Sequence, residues 1–249
     1  MLKPIASCVT IALALLAGTA MAQSDEAESL DLLIYGATGK IGSLVVTEAL
    51  DRGHRVTAVS RDPSQIELVH ENLTAARGDL LDDNSIASLS IGRDVIIVSV
   101  RGVIGEKSPE NALQRIAVER IINVLREMPG NAPRLIHVGG AGTLEVEPGV
   151  LYADKLPRLF IPKNLELEID GQVLALEYLR TVLDVEWSYA TPAKNFTNRE
   201  RTGDYRIGGN QLVEDRRGRS RISRADFAAA LIDEAESGAH ANEQFSVAY

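Results

Sequence analysis

Three glycines carry the clearest chemical meaning in this sequence: Gly36, Gly39 and Gly42, spaced G-x-x-G-x-x-G. They follow the apolar run Leu32–Tyr35 and precede a stretch predicted to be helical over about 40–50, so the pattern predicts a strand, a turn and a helix. Gly36 allows a sharp turn, Gly39 lets the backbone approach a pyrophosphate, and Gly42 lets the helix lie close to the sheet. Because a helix N-terminus offers unpaired N–H groups and a partial positive charge, this turn predicts a dinucleotide-binding site.

A basic residue follows the second predicted strand, Arg55–Ser60. In dinucleotide-binding folds an acid at this strand end holds the ribose 2′-OH, whereas a basic residue accommodates a 2′-phosphate. Here Arg61 stands at that place, and Asp62 lies one place further on, in a loop leading to a proline. We therefore predict NADP (as NADPH) over NAD, with Arg61 and also Lys40 near the phosphate. The alternative is that Arg61 is a solvated surface residue, as most arginines are.

Later strand ends complete the expected cofactor surface. Asp79 closes the third predicted strand, where a carboxylate can accept a hydrogen bond from the adenine amino group or cap the following segment. Arg101 follows the fourth strand, where the nicotinamide half would pass. The expected cofactor contacts lie on the glycine turn and on the strand ends after it: Gly36, Ala37, Thr38, Gly39, Lys40, Ile41, Gly42, Arg61, Asp79, Leu80, Val100, Arg101, Gly139, Pro192 and Ala193.

Strand and helix patterns alternate along most of the chain. Further strands are predicted near 55–60, 73–77, 94–100, 133–138 and 184–190, and helices near 63–70, 85–89, 109–128 and 164–182. This alternation predicts an α/β fold, a doubly wound parallel sheet of the Rossmann type. Residues 199–222, rich in glycine and charge, predict a β-hairpin over the site, followed by a helix over 224–236 and an edge strand over 244–247.

The first 22 residues have the layout of a secretory signal peptide. Lys3 provides a positive start, residues 9–17 are apolar, and A-x-A at 20–22 is a cleavage signature. The apolar run is too short for a membrane span. We therefore expect an exported, periplasmic protein whose residues 23–249 form one NAD(P)-binding domain. Translation from Met21 is the alternative, and it would leave the protein in the cytoplasm. A cytoplasmic protein could bind its dinucleotide there, whereas an exported chain crosses the membrane unfolded and cannot carry a bound dinucleotide with it.

Composition narrows the range of ligands. The chain of 249 residues has a net charge of −9, which argues against a nucleic-acid surface. Its single cysteine, Cys8, lies in the signal peptide, so the mature chain has no disulfide and no thiolate nucleophile. The four histidines are scattered, so no metal site is expected. A small-molecule substrate is the expected partner.

Blocks spread over nearly all of the mature chain resemble one superfamily. They are GATGKIG (36–42), SRDPS (60–64), GDLLD (78–82), VGGAGTLEV (138–146), RTGDYRIGG (201–209) and SRISRADFAAAL (220–231). The sequence resembles the atypical short-chain dehydrogenase/reductase superfamily, and within it the NmrA-like and biliverdin-IXβ/flavin-reductase-like branch of NAD(P)H-binding proteins. The resemblance implies a Rossmann fold and a reduced pyridine nucleotide as ligand.

The acid–base pair of catalytic superfamily members, Tyr-x-x-x-Lys, is missing. Tyr152 and Lys155 are spaced one residue too close and lie in an irregular stretch. On the helix over 164–182, the corresponding positions fall on Ile169 and Val173, which cannot transfer protons. The serine expected after the fifth strand is replaced by Gly139 and its neighbour Gly140.

The resemblance supports two interpretations. One is a reductase that delivers hydride to easily reduced, conjugated substrates such as a flavin, a quinone or a linear tetrapyrrole, with the proton coming from solvent or substrate. The other is a non-catalytic NADP(H)-binding regulator or redox sensor of the NmrA-like type. An isomerase or epimerase is disfavoured, because that chemistry relies on the missing tyrosine. The expected substrate-side residues are Thr143, Phe196, Arg201 and Tyr205, with Tyr152 as a fifth.

The signal-peptide interpretation predicts that the mature protein begins at Gln23. Intact-mass measurement of protein isolated from the source cell checks this. An intact Met1 or Met21 on cytosolic protein would contradict export.

Overall fold

The computed structural model describes residues 29–249, so the predicted signal peptide with Cys8 lies outside the described residues. The strands are β1 (Asp31–Tyr35), β2 (Arg55–Ser60), β3 (Leu73–Arg77), β4 (Val95–Val98), β5 (Arg134–Val138), β6 (Glu145–Glu147), β7 (Val150–Leu151), β8 (Trp187–Pro192), β9 (Asn195–Thr197), β10 (Arg206–Gly208), β11 (Arg221–Ser223) and β12 (Glu243–Ala248). Eight of them form one sheet, ordered β10-β12-β8-β5-β4-β1-β2-β3. All neighbours in it are parallel except β10 and β12.

Helices cover both faces of this sheet. They are α1 (Gly42–Asp51), α2 (Asp83–Ser90), α3 (Leu113–Glu127), α4 (Tyr152–Lys155), α5 (Lys163–Leu179) and α6 (Arg224–Ser237). The pair α1 and α6 packs on one face, and α2, α3 and α5 pack on the other. Because β4 is covered on both faces, all four of its apolar residues are buried, as expected for a central parallel strand.

The strand order reverses between β1 and β4. From β1 the chain extends the sheet through β2 to β3, and from β4 it extends the other way through β5 to β8. In doubly wound sheets a ligand crevice opens at such a switch point, outside the carboxyl ends of the strands. The predicted doubly wound parallel α/β fold is confirmed, with β1 and the glycine turn at its centre.

Two predicted helices are shorter or divided. The prediction of a helix over 63–70 was wrong beyond its first turn: only Pro63–Gln65 forms a 3₁₀ turn, and Ile66 is extended. The stretch 66–70 has no buried side chain, so no apolar face supports a longer helix. The helix predicted over 109–128 is divided at Ala112, whose ψ of 129° is extended, into the 3₁₀ turn Pro109–Asn111 and α3.

The expected hairpin within 199–222 does not form. The range contains β10, which pairs antiparallel with β12, and the start of β11, which pairs parallel with β9. Consequently β12 is not at the edge, because β10 covers it. The sequence pattern indicated extended chain in this range, but strand partners distant in sequence decided the pairing.

Gly42 offers a stability test of the glycine turn. A Cβ at Gly42 would lie 2.1 Å from the carbonyl oxygen of Gly36, whereas a Cβ at Gly209 would meet nothing within 4 Å. We expect Gly42→Ala to lower the free energy of unfolding by about 2 kcal/mol, because backbone must move to make room. Urea denaturation measures this, with Gly209→Ala as the matched control. Equal losses in the two variants would contradict the packing role of Gly42.

Candidate functional site

The glycine turn joins the carboxyl end of β1 to the N-terminus of α1. Gly36 has a φ of +79°, which favours glycine, and its carbonyl accepts a 2.8 Å hydrogen bond from the N–H of Gly39. The N-cap residue of α1 is Ile41, whose side chain makes no capping hydrogen bond. The first-turn N–H groups therefore have no side-chain cap, which is the arrangement that binds a phosphate at a helix N-terminus.

The three glycines differ in what surrounds them. A Cβ at Gly36 would lie 2.1 Å from the carbonyl oxygen of Ser99, just after β4, so this turn is pressed against the neighbouring strand end. Gly42 contacts the Gly36 carbonyl, so it allows α1 to begin close to the turn. The sequence predicted instead that Gly42 would let the helix lie close to the sheet. Around Gly39 the nearest atom to such a Cβ is the Gly36 oxygen at 3.1 Å. Gly39 is therefore the least obstructed of the three, which suits close approach by a ligand.

The acid near the end of β2 is engaged locally. The Asp62 carboxylate accepts hydrogen bonds from the Ser64 hydroxyl at 2.7 Å, the Ser64 N–H at 3.2 Å and the Gln65 amide at 3.2 Å. These bonds, the Ser64 hydroxyl first, hold the pKa of Asp62 below its ordinary value. Asp62 thus caps the 3₁₀ turn that follows.

Two arginines stand at the ends of β2 and β3. Arg61 is exposed and makes no ion pair with the described residues 29–249. Arg77 ends β3, and its register partner is Ser60, the residue before Arg61. The carboxyl ends of β2 and β3 therefore carry two arginines, of which sequence reasoning identified only Arg61.

Asp79 follows β3 on the same side of the crevice. Its carboxylate accepts a 2.9 Å hydrogen bond from the N–H of Leu81, and the residue is exposed, while Leu80 is buried. The cap of α2 is a different residue, Asp82, which accepts from the N–H of Asn84. One oxygen of the Asp79 carboxylate therefore accepts a hydrogen bond within the turn. The other oxygen can accept a hydrogen bond from a further donor, such as an amino group.

At the opposite half of the crevice, Arg101 and Val100 follow β4. Arg101 reaches across to α5, where its guanidinium lies 3.0 Å from the carboxylate of Glu168. The Arg101 side chain is 73% exposed and that of Glu168 is 13% exposed. This ion pair links the end of β4 to the wall formed by α5.

Gly139 and Gly140 follow β5, at the position where the resemblance leads us to expect a serine. A Cβ at Gly139 would lie 2.0 Å from the ring of Tyr189, and a Cβ at Gly140 would lie 2.0 Å from the amide oxygen of Gln172. The Tyr189 hydroxyl donates a 3.0 Å hydrogen bond to the backbone carbonyl of Gln172. Side chains from β8 and α5 therefore fill the space that a serine would need.

Three titratable groups lie in one row beneath this edge. Tyr35, His137 and Tyr189 occupy registered positions on β1, β5 and β8, with Val98 of β4 between the first two. Burial raises the pKa of both tyrosines and lowers the pKa of His137 to about 3. All three side chains are therefore neutral near pH 7 and belong to the packed core.

The expected substrate-side residues are not brought together. Thr143 is buried, and its hydroxyl donates to the Gly140 carbonyl at 2.9 Å and accepts from the Gln244 amide at 3.0 Å. Phe196 packs edge-on against Phe227, with ring centroids 5.5 Å apart. Thr143 thus lies in the interior rather than on the crevice, and Phe196 packs against the hydrophobic core.

Arg201 and Tyr205 lie against the helix pair α1 and α6. Arg201 forms a 3.0 Å ion pair with Glu48 of α1, and the Tyr205 hydroxyl hydrogen-bonds Asp233 of α6. Burial and this carboxylate raise the pKa of Tyr205. Tyr205 also lines a surface cleft of about 470 Å³ together with Arg199, Thr202, Asp204, Arg206, Arg221 and Tyr249.

A buried carboxylate fixes the segment that contains these residues. Asp226 accepts hydrogen bonds from the N–H groups of Thr202 at 2.8 Å and Gly203 at 2.7 Å, and also from the hydroxyls of Ser223 and Tyr249. Burial raises the pKa of Asp226, but these hydrogen bonds outweigh that effect and hold the pKa below its ordinary value. The start of α6 therefore anchors the chain from 199 to 206.

Two residues from separate elements meet at the carboxyl edge beyond β5 and β8. The ammonium of Lys194 lies 5.4 Å from the ring centroid of Tyr152. Sequence reasoning considered Tyr152 for the substrate side but did not identify Lys194, because 42 positions separate the two in the chain. Pro192 and Ala193, which precede Lys194, are both buried.

Within residues 29–249 no helix combines the length and apolar character that a membrane span requires. The same residues contain no group of three or more His, Cys, Asp or Glu side chains placed to hold a metal ion.

Comparison with known proteins gives both a family and close structural relatives. The model of a family described as NAD(P)H-binding matches residues 36–237. A candidate epimerase from Bacteroides thetaiotaomicron is 30% identical, with 89% of this chain and 98% of that chain covered and a TM-score of 0.79. A candidate exported protein from Burkholderia pseudomallei is 35% identical, with 88% and 100% covered and a TM-score of 0.74. A candidate NADH-flavin reductase from Streptococcus pneumoniae is 28% identical, with 88% and 99% covered and a TM-score of 0.71.

Proposed function

Because this chain belongs to the NAD(P)H-binding family, whose model spans residues 36–237, we propose that it is an NADPH-dependent reductase of small conjugated substrates. Its predicted place in the atypical short-chain dehydrogenase/reductase superfamily is confirmed by that family and by the shared fold. The substrates we propose are flavins, quinones or linear tetrapyrroles. The observation that carries the proposal is the N-terminus of α1, which has no side-chain cap and lies behind Gly39, the least obstructed of the three glycines.

The residues of the crevice suit each part of NADPH. We assign the pyrophosphate to the backbone of 36–42, the adenine to Asp79 with Leu80, and the nicotinamide half to the strand ends after β4, β5 and β8. Arg61 and Arg77 are assigned to the 2′-phosphate, which guanidinium groups bind by paired hydrogen bonds. Asp62 is occupied by its own turn, which supports a phosphate over a free ribose hydroxyl at this end.

The missing acid–base pair supports a conjugated acceptor. When bound, NADPH supplies a hydride, and a conjugated acceptor takes it more readily than an isolated carbonyl does. Ile169 and Val173 of α5 cannot donate a proton, and Gly139 leaves no serine beside them. A similar protein carries the name NADH-flavin reductase, which agrees with this class of acceptor.

A non-catalytic NADP(H)-binding regulator or redox sensor of the NmrA-like type is the second proposal. The absence of the Tyr-x-x-x-Lys pair favours it too.

For location we propose export, with residues 23–249 as the mature NAD(P)-binding domain. The similar Burkholderia protein is named as a candidate exported protein.

The reductase proposal predicts that purified protein oxidises NADPH when a flavin, quinone or linear tetrapyrrole is present. Loss of absorbance near 340 nm measures the reaction, and protein without acceptor is the control. Tight NADPH binding with no turnover on any of these acceptors would support the regulator instead. Failure to bind either NADPH or NADH at millimolar concentration would overturn both.

Arg61→Glu tests the preference for NADP. We expect NADPH affinity to fall more than tenfold, about 1.4 kcal/mol, because a carboxylate would repel the 2′-phosphate, while NADH affinity falls less. Fluorescence titration with both nucleotides measures the two dissociation constants. Arg216→Glu is the matched control, since Arg216 is exposed on a distant turn. Equal weakening of NADH and NADPH by Arg61→Glu would refute the assignment.

A further inference from the structure

We infer that Tyr152 and Lys194 form the proton-donating site of the crevice. Tyr152 donates the proton that accompanies hydride transfer, and Lys194 stabilises the negative charge that develops on the Tyr152 oxygen. This inference rests on the proposed reductase function and assigns its proton donor. The observation behind it is the placement of the Lys194 ammonium 5.4 Å from the Tyr152 ring centroid, by elements that are far apart in the chain.

Each residue of the pair is fixed by its backbone. The N–H of Tyr152 donates a 2.7 Å hydrogen bond to the Leu144 carbonyl, which places the start of α4 over the chain leaving β5. The N–H of Lys194 donates to the Ser220 hydroxyl at 3.2 Å. The Lys194 ammonium also lies 2.6 Å from the Glu214 carboxylate, and its side chain is only 20% exposed. The cation is therefore held in place rather than free in solvent.

The pair lies at the carboxyl edge of the sheet, next to the expected nicotinamide position. Strands β5 and β8 are parallel neighbours, with Val138 in register with Ala190, so the segments that leave them emerge at the same edge. Lys194 directly follows Pro192 and Ala193, which we assign to the nicotinamide half. A conjugated acceptor stacked beside the nicotinamide would therefore present its oxygen or nitrogen to this pair.

The proposed reduction needs only NADPH, the acceptor and a proton from solvent. When bound, NADPH would supply a hydride, with its electron pair, that forms a C–H or N–H bond on the acceptor. The π electrons of the acceptor move to its oxygen or ring nitrogen, and the Tyr152 hydroxyl gives its proton to that atom. The Tyr152 phenolate, next to the Lys194 ammonium, then takes a proton from solvent. The net reaction consumes one proton and one NADPH for each acceptor reduced.

Other groups near the crevice suit this role less well. The Arg101 guanidinium does not lose its proton in proteins. Tyr189 is fully buried, and its hydroxyl is bonded to a backbone carbonyl. Tyr205 is directed to Asp233 on the outer helix pair. Tyr35, the last residue of β1, is buried as well. Among the phenols of the described residues at this edge, Tyr152 is the one that is only partly buried, and it has a cation beside it.

Tyr152→Phe is the direct test, with menadione as the acceptor. We expect kcat to fall about 100-fold, in the range typical of losing a general acid, while the KM for menadione and the dissociation constant of NADPH change less than about twofold. Tyr178→Phe is the matched control, because the Arg115 guanidinium carbon lies 4.8 Å from the centroid of the Tyr178 ring. Tyr178 is near the C-terminal end of α5, away from the proposed pair. A kcat of Tyr152→Phe within threefold of wild type overturns the inference.

Lys194 gives a second, independent measurement. Lys194→Met should lower kcat about tenfold or more, and Lys194→Arg should restore most of it, because the charge rather than the shape stabilises the phenolate. Lys163→Met is the control, since Lys163 pairs with Glu166 on the exposed start of α5. Unchanged NADPH affinity and thermal melting confirm that each variant is folded. If wild-type protein is active and both pair variants match it, only this inference fails; if wild-type protein is inactive, the reductase proposal fails as well.

Discussion

Backbone-to-backbone contact at the end of β1 is the constraint on which the rest of the molecule depends. Gly36 meets the chain after β4, and Gly42 meets Gly36, each at a separation that any side chain would prevent. This contact starts α1 directly above the switch point and leaves its first N–H groups without a side-chain cap. Packing thus depends on Gly36 and Gly42, whereas Gly39 is the least obstructed of the three and is the glycine proposed to let a ligand approach.

The second theme is how the fold accommodates the loss of the superfamily's acid–base pair. The ring of Tyr189 fills the space above Gly139, and Gln172 fills the space above Gly140, so no room for a serine side chain is left at either position. What remains near the nicotinamide end is polar but differently organised, with the Arg101–Glu168 ion pair on one wall and Tyr152 with Lys194 on another.

Much of the fold followed from sequence pattern alone. The G-x-x-G-x-x-G spacing, the apolar strand over 94–100 and the serine cap of α6 each depend on neighbours in the chain, so local chemistry predicts them. For the same reason the predicted cofactor residues lie at one edge of the sheet, because the carboxyl ends of neighbouring parallel strands meet there. Local pattern failed where pairing is distant: β10 joins β12 and β11 joins β9, so the expected hairpin does not exist.

The sequence by itself determined the strand–turn–helix at the nucleotide site and the absence of Tyr-x-x-x-Lys, since both are statements about spacing. Only the tertiary structure decided which polar side chains face the crevice. It buried Thr143, directed Arg201 and Tyr205 to α1 and α6, and brought Lys194 to Tyr152. The physical reason is that side-chain direction at a sheet edge depends on which distant segment packs there, and charge pairs such as Arg201 with Glu48 form only after the helices have docked.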